Sequence, residues 1–396
     1  METEDQHPAG AGQDRRLLPQ RAAALPVNSP KILPADPKAA YLAAQAETDA
    51  AIRRVLLSGH YILGPEGDGF EREFSQWLGV AGTVALANGT DAIELALRAA
   101  GIGPGDKVVT VANTVTATVS AITATGARAV YVEIDPATML MDVGALEAML
   151  TTLRDPKIKA VVPVHLYGQM VDMPHLTTVA AAHNLTVIED CAQAHGAAIG
   201  GRKAGTWGRL AAFSFYPTKN LGALGDGGAV CGGDVALLEQ VRLLRQYGWR
   251  KRYVSEMPGR NSRLDELQAA ILRVRLTKLD ADNLRRATIA ARYLESLKGL
   301  PLVLPVTAEG RTHCWHQFVV RTPRREELRI HLEKRHILCG VLYPVPVHRQ
   351  PAYHDAAQSL PHTEQACAEV LSLPLHPGLT DADVERVMRE VSGFFA

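Results

Sequence analysis

The run Leu185-Thr186-Val187-Ile188-Glu189-Asp190, read with the helical stretch Met173–His183 before it, decides the architecture. The run is apolar on both faces and ends on carboxylates, as a strand buried inside a covered sheet does. The same alternation extends in both directions. Candidate strands lie at Thr83–Ala87, Lys107–Val111, Ala129–Ile134, Ala160–His165, Leu185–Glu189, Ala211–Tyr216 and Gly227–Cys231. Candidate helices lie between and after them, at Asp91–Ala100, Ala117–Ala124, Val143–Leu150, Met173–His183 and Val235–Gln246. Two-faced apolar strands separated by helices give an α/β fold, a mostly parallel seven-stranded sheet covered on both sides.

Upstream, Tyr41–Leu57 has a helical pattern that stops at Ser58-Gly59, and residues 1 to about 30 read as a flexible tail without a sustained period. Downstream of Asp265 a long helical stretch runs to about Leu297. It is followed by a strand at Gln317–Arg321 and a helix at Arg325–Lys334. The expected organisation is a large α/β domain over 31–280 and a smaller α+β domain over 281–396.

Composition excludes several classes. Lys plus Arg equals Asp plus Glu, 42 each in 396 residues, so no global field favours a polyanion such as nucleic acid. The five cysteines are scattered without a C-x-x-C pair, which points to a reducing cytoplasm rather than disulfides or zinc. His331 and His336 are five apart and share a helix face poorly, so no metal is expected. No apolar run approaches the roughly 18 residues of a membrane span. The expectation is a soluble cytoplasmic protein with no membrane partner.

Four segments place polar residues at predicted strand ends, where ligands gather in open α/β sheets. Asn88-Gly89-Thr90-Asp91 opens a helix, and glycine, hydroxyl and free N–H groups together make a phosphate seat. Alone it reads more readily as a helix cap without ligand. Asp190 ends its strand with a carboxylate that needs a cation, or else caps the next helix. Ala211 through Asn220 delivers Ser214, then Pro217 holds Tyr216 extended, then Lys219 follows among Gly222, Gly225, Gly227 and Gly228. A lysine so crowded can lose its proton and attack an aldehyde, although a lone loop lysine is ordinarily solvated surface. Gly259 through Asp265 says only turn and helix start. In chain order, a phosphate seat, a strand-end Asp and a Lys are what pyridoxal 5′-phosphate (PLP) needs: anion clamp, pyridinium partner and Schiff-base amine.

At these residues the sequence resembles the DegT/StrS family of sugar aminotransferases, PLP enzymes of the aspartate-aminotransferase fold type (PLP fold type I). The resemblance runs from about Ile52 to at least Pro351. It includes Asn88 through Ala92, Pro163 through Gln169, Glu189-Asp190 with Ala192 through Gly196, Ser214 through Gly222, Asn261 through Asp265, and Tyr343-Pro344 with His348. It implies that Lys219 carries the cofactor and shuttles the proton, that Asp190 partners the ring nitrogen, and that Gln193 sits on the ring's hydroxyl side. Gly89, Thr90 and Ser214 match phosphate contacts. Asn261 matches a residue reaching a partner's phosphate, which implies a homodimer with shared active sites. His165 joins Lys219 and Asp190 as a catalytic candidate, and Tyr216, Arg263 and His348 match substrate-lining positions.

One departure stands out. Val115 occupies a place where the family usually has an aromatic stacked on the ring, a loss of about 1 kcal/mol of stacking. The implied reaction moves an amino group from glutamate to a keto-sugar, with pyridoxamine phosphate between the halves. The motif wording is most like members acting on thymidine-diphosphate (dTDP) 3-keto-6-deoxyhexoses, in amino-deoxysugar biosynthesis for O-antigen or glycosylated natural products. Other family substrates, UDP- or GDP-linked 4-keto sugars and keto-inositols, stay open, as does a catalytically silent regulatory member.

Overall fold

The computed structural model describes residues 30–355 and 358–396. The expected tail therefore lies outside the described residues except for Pro30. The main sheet has seven strands: β1 (Gly82–Leu86), β2 (Lys107–Val111), β3 (Arg128–Val132), β4 (Ile158–Val161), β5 (Thr186–Asp190), β6 (Leu210–Ser214) and β7 (Gly228–Gly232). Their spatial order is β1-β7-β6-β5-β4-β2-β3, and only β7 runs against its neighbours. All seven expected strands are present. The run at Ala160–His165 leaves the sheet early, at Val161, because Pro163 has no N–H to give a ladder.

Both sheet faces are apolar. One carries Phe70, Phe74, Val109, Val161, Phe213 and Phe215, and the other Leu86, Leu95, Val108, Ile188 and Val230. The helix Gly89–Ala99 lies over the second face and puts its N-terminus at the carboxyl end of the strands.

Two expected helices are each divided. Tyr41–Leu57 is Pro37–Leu42 followed by Gln45–Ser58, and the stretch after Asp265 is Glu266–Leu276 followed by Leu279–Ser296. The helices Pro65–Leu78, Pro361–Glu369 and Asp381–Phe395 have no named counterpart in the sequence reading, and the first matters for the site. Pro65–Leu78 starts on a proline, ends at left-handed Gly79 and buries Phe70 and Phe74. Phe70 meets the ring of Phe215 edge-on at 5.2 Å, so this helix braces the segment that leads to Lys219.

Toward the C-terminus, the pair Phe318–Arg321 and Val370–Leu373 is antiparallel. With helices Arg325–Glu333 and Asp381–Phe395 it encloses its own apolar cluster around Tyr293, Phe318, Leu328 and Val387. Lys31–Ala396 forms one compact unit. Among the described residues no helix is long and apolar enough to cross a membrane.

Candidate active site

Strands β5 and β6 are parallel neighbours, and each carries a site residue at its carboxyl end. β5 ends on Asp190, which is 3% exposed. The Ala192 N–H donates to its Oδ1 at 3.1 Å and the Thr118 hydroxyl to its Oδ2 at 2.9 Å. Thr118 in turn lies 3.0 Å from the hydroxyl of Thr114. Burial still raises the Asp190 carboxyl above the ordinary range, and those two donors and Lys219 only partly oppose it. A carboxylate so placed is short of positive charge.

β6 ends on Ser214, and the chain then turns back so that the Lys219 N–H donates to Tyr216 O at 2.8 Å. Lys219 keeps partial solvent access as a residue, but its amine lies deep in protein. Burial lowers its pKa to about 8 against the pull of Asp190. An appreciable neutral fraction at ordinary pH makes it a nucleophile.

The phosphate-seat segment lies against the same strand end. Asn88 accepts from Asp91 N at 2.8 Å and caps the helix. A Cβ on Gly89 would stand 2.7 Å from the Ser214 Cβ, and one on Gly228 would stand 2.2 Å from Asn88 O. Only glycine at both places lets the free N–H groups of the helix, the Thr90 position and Ser214 converge.

Gln193 is pinned at both ends of its amide. Its Oε1 accepts from Tyr167 N at 2.7 Å and its Nε2 donates to Tyr343 Oη at 3.1 Å. Val115 sits immediately before the helix Thr116–Ala124 and is 37% exposed, an apolar surface left open. Tyr216 is exposed as well.

His165 lies beside Asp190, with its N–H bonded to Asp190 O at 3.0 Å, yet both ring nitrogens are occupied. Val171 N–H donates to Nδ1 at 3.2 Å, so the proton is on Nε2, which donates to Glu189 at 3.0 Å. Glu189 also accepts from the N–H groups of Gly205, Trp207 and Gly208. Burial pushes its carboxyl up, but His165 and these donors prevail and hold it below the usual range. His165, Glu189 and Cys191 have ligand atoms within 4.8 Å of one another, but the carboxylate is already saturated by N–H donors.

Among the described residues the remaining candidates form no hydrogen bond with this cluster. Asn261 is exposed and bridged to Gln246 through the backbone. Arg263 is half-buried, and its Nε finds no partner among the described residues. His348 is fully buried, its Nε2 paired with Glu364 at 3.0 Å, and the adjoining Val347 N–H reaches Ala112 O behind the Val115 loop. Sequence reasoning missed Thr118 and Tyr343 as site residues. The spacing of Thr114 and Thr118 by one helical turn could have signalled the first; nothing local could have signalled the second, 150 residues from Gln193.

A buried, partly neutral lysine beside a charge-deficient strand-end carboxylate, with a helix N-terminus at the same sheet edge, defines the fold and site of a PLP-dependent aminotransferase. The chain belongs to the DegT/DnrJ/EryC1/StrS aminotransferase family, whose model matches residues 43–392. It is 49% identical to a dTDP-3-amino-3,4,6-trideoxy-alpha-D-glucose transaminase of Streptomyces venezuelae over 92% of this chain and 96% of that one. It is 47% identical to a dTDP-3-amino-3,6-dideoxy-alpha-D-galactopyranose transaminase of Aneurinibacillus thermoaerophilus, over 88% and 96%. The solved structure of S. venezuelae DesV in complex with a ketimine intermediate superposes with a TM-score of 0.90 at 48% identity, covering 92% of this chain and 99% of that one. The cofactor is PLP, and the residues present fit it.

Proposed function

We propose that the protein transfers the amino group of glutamate to a dTDP-3-keto-6-deoxyhexose in amino-deoxysugar biosynthesis, in the cytoplasm. Similarity to the two dTDP-sugar transaminases supports the substrate class. The observation that carries the chemistry is Lys219, buried and held at about 8 with Asp190 as its attractive countercharge. When bound, PLP supplies an aldehyde for covalent capture of amines and a ring that accepts electrons.

The chain's own residues do the rest. The Lys219 amine would hold the cofactor and, once the donor's amine has displaced it, would take the proton from the donor's α-carbon and give it back on the far side of the nitrogen, as base and then acid. Asp190, fixed by Thr118 and Ala192, would keep a proton on the cofactor's ring nitrogen. Gly89, Thr90 and Ser214 would hold the phosphate, Gln193 would take the hydroxyl side of the ring, and Val115 would offer an apolar face to it. With both nitrogens committed, His165 shapes the wall beside Asp190 rather than moving protons. Tyr216 and Arg263 belong to the substrate side, and His348, fully buried and paired with Glu364, backs that wall rather than touching the substrate.

The protein acts as a homodimer in which the exposed Asn261 completes the partner's phosphate site. The large and small domains meet near residue 280, within the helix Leu279–Ser296. Purified protein given glutamate and a panel of keto-sugars tests the function. Formation of 2-oxoglutarate with the dTDP-3-keto-6-deoxyhexose is expected. Turnover confined to a 4-keto or cyclitol substrate overturns the sugar assignment.

A further inference from the structure

Behind the Lys219 loop lies a charge that the reaction does not use. Arg286, in the helix Leu279–Ser296, is 7% exposed, yet its one hydrogen bond among the described residues runs from Nη1 to Leu375 O at 3.0 Å. Its buried Nε has no partner among the described residues, and the one hydrogen bond it makes goes to a backbone carbonyl rather than a carboxylate. Asp282, one turn earlier, attracts it only from further away. An unpaired guanidinium out of water is costly, and proteins normally supply an anion.

Arg286 also forms part of the wall of two cavities, of about 190 and 220 Å³, which share Ala35, Thr218 and Arg286. Lys219 lies in the wall of the first. The first holds Arg275, Lys278 and Arg286 against Asp36 and Asp282, an excess of positive charge. Arg275 too is without a carboxylate among the described residues and spends its donors on Gly222 O and Pro37 O. Asp36 is engaged in capping Ala39 N. In the second cavity Arg286 is the charged residue, facing Thr218, Gln317 and Ser372 with leucines at 342, 373 and 375 around them. Both cavities fall short of the roughly 300–1,000 Å³ of a drug-sized ligand site, so a nucleotide-linked sugar is too large and a small anion fits.

We propose that the space around Arg286 is a binding site for a small organic carboxylate, of the kind the amino donor and its keto-acid product carry. The planar guanidinium takes the carboxylate through its free N–H groups, and the leucine wall accepts a short methylene chain. The choice of occupant rests on the donor reading above; the site itself does not.

The test uses the PLP-loaded enzyme and glutarate, a five-carbon dicarboxylate with neither amino nor keto group, followed by calorimetry and thermal shift. Glutarate should bind the wild type, at least ten-fold more weakly to Arg286→Gln, and with intermediate affinity to Arg286→Lys, which keeps the charge but not the planar fork. Ala35→Trp, which fills the shared wall, should weaken binding as well and stands in if Arg286→Gln does not fold. Absent binding, or binding indifferent to these changes, overturns the site. Inorganic phosphate displacing glutarate at equal concentration overturns the carboxylate assignment. If glutamate fails as donor while glutarate still binds through Arg286, the donor reading falls and the site stands. Intact transfer with no glutarate bound has the opposite meaning.

Discussion

The hydroxyl of Thr118 donates to Oδ2 of Asp190 at 2.9 Å, 72 residues apart in the chain, and both groups are buried. Hydrogen bonding to the charged form favours that form, so Thr118 opposes the upward push that burial gives Asp190. Thr118→Val keeps the shape and removes the donor. A hydrogen bond to a charged group contributes about 1.5–3 kcal/mol, which should appear as roughly ten-fold or greater loss of PLP affinity in equilibrium dialysis. Thr118→Ser should recover most of it. Equal affinity in all three proteins would show that Asp190 does not depend on this hydroxyl.

Lys219 carries a pH dependence with a definite sign. Burial lowers its pKa to about 8, whereas an unfolded lysine titrates near ~10.4. Below about 8 both states are protonated and the burial penalty is present in full. Between that value and ~10.4 the unfolded chain binds more protons, so stability of the cofactor-free enzyme should rise with pH through this window. Capture of PLP by the cofactor-free enzyme should accelerate with a midpoint near 8, followed by stopped-flow absorbance. A midpoint near ~10.4 would mean the amine is solvated, contrary to its surroundings here.

Gly89 and Gly228 are places where a methyl group has nowhere to go. Gly89→Ala puts a carbon 2.7 Å from the Ser214 Cβ, and Gly228→Ala puts one 2.2 Å from a backbone oxygen. Overpacking of this kind costs about 1–3 kcal/mol, and here it also moves the helix N-terminus away from Ser214. Both variants should be less stable to urea, and Gly89→Ala should lose PLP affinity at least ten-fold. Affinity unchanged in Gly89→Ala would place the phosphate elsewhere.

Much of this was readable in the chain, for physical reasons that also explain the gaps. The strands were visible because both-face burial writes a continuous apolar run, and Lys219 because glycines crowd around it. Asp190 was visible as a carboxylate ending such a run. The helix Pro65–Leu78 was not, since its interior carries Gly67 and Gly69 and its apolar face is little more than Phe70, Phe74 and Leu78. The breaks at Ala43-Ala44 and Thr277-Lys278 lie between good helix formers and are set by packing. The family resemblance makes His165 a catalytic candidate, but the chain alone does not show that Val171 and Glu189 use both its ring nitrogens. Thr118 and Tyr343 meet Asp190 and Gln193 only through tertiary folding.

Glu189 supplies the last prediction, because its four donors leave no room for an amide. Trp207 N and Gly208 N converge on Oε1 at 2.8 and 2.7 Å, and Gly205 N and His165 Nε2 on Oε2 at 2.9 and 3.0 Å. In Glu189→Gln either orientation points an NH₂ group at two donors, leaving them unsatisfied in the interior at about 1–3 kcal/mol each. The loss should therefore be roughly 2–6 kcal/mol in urea unfolding, large for an isosteric change. The native carboxyl is held below the ordinary glutamate value, so its contribution is present above the unfolded pKa and is lost as acid titrates the folded group. The variant should accordingly show a flatter stability profile below about pH 5 than the wild type. Equal stability of the two proteins at neutral pH would mean that the loop 205–208 is held by something other than this carboxylate.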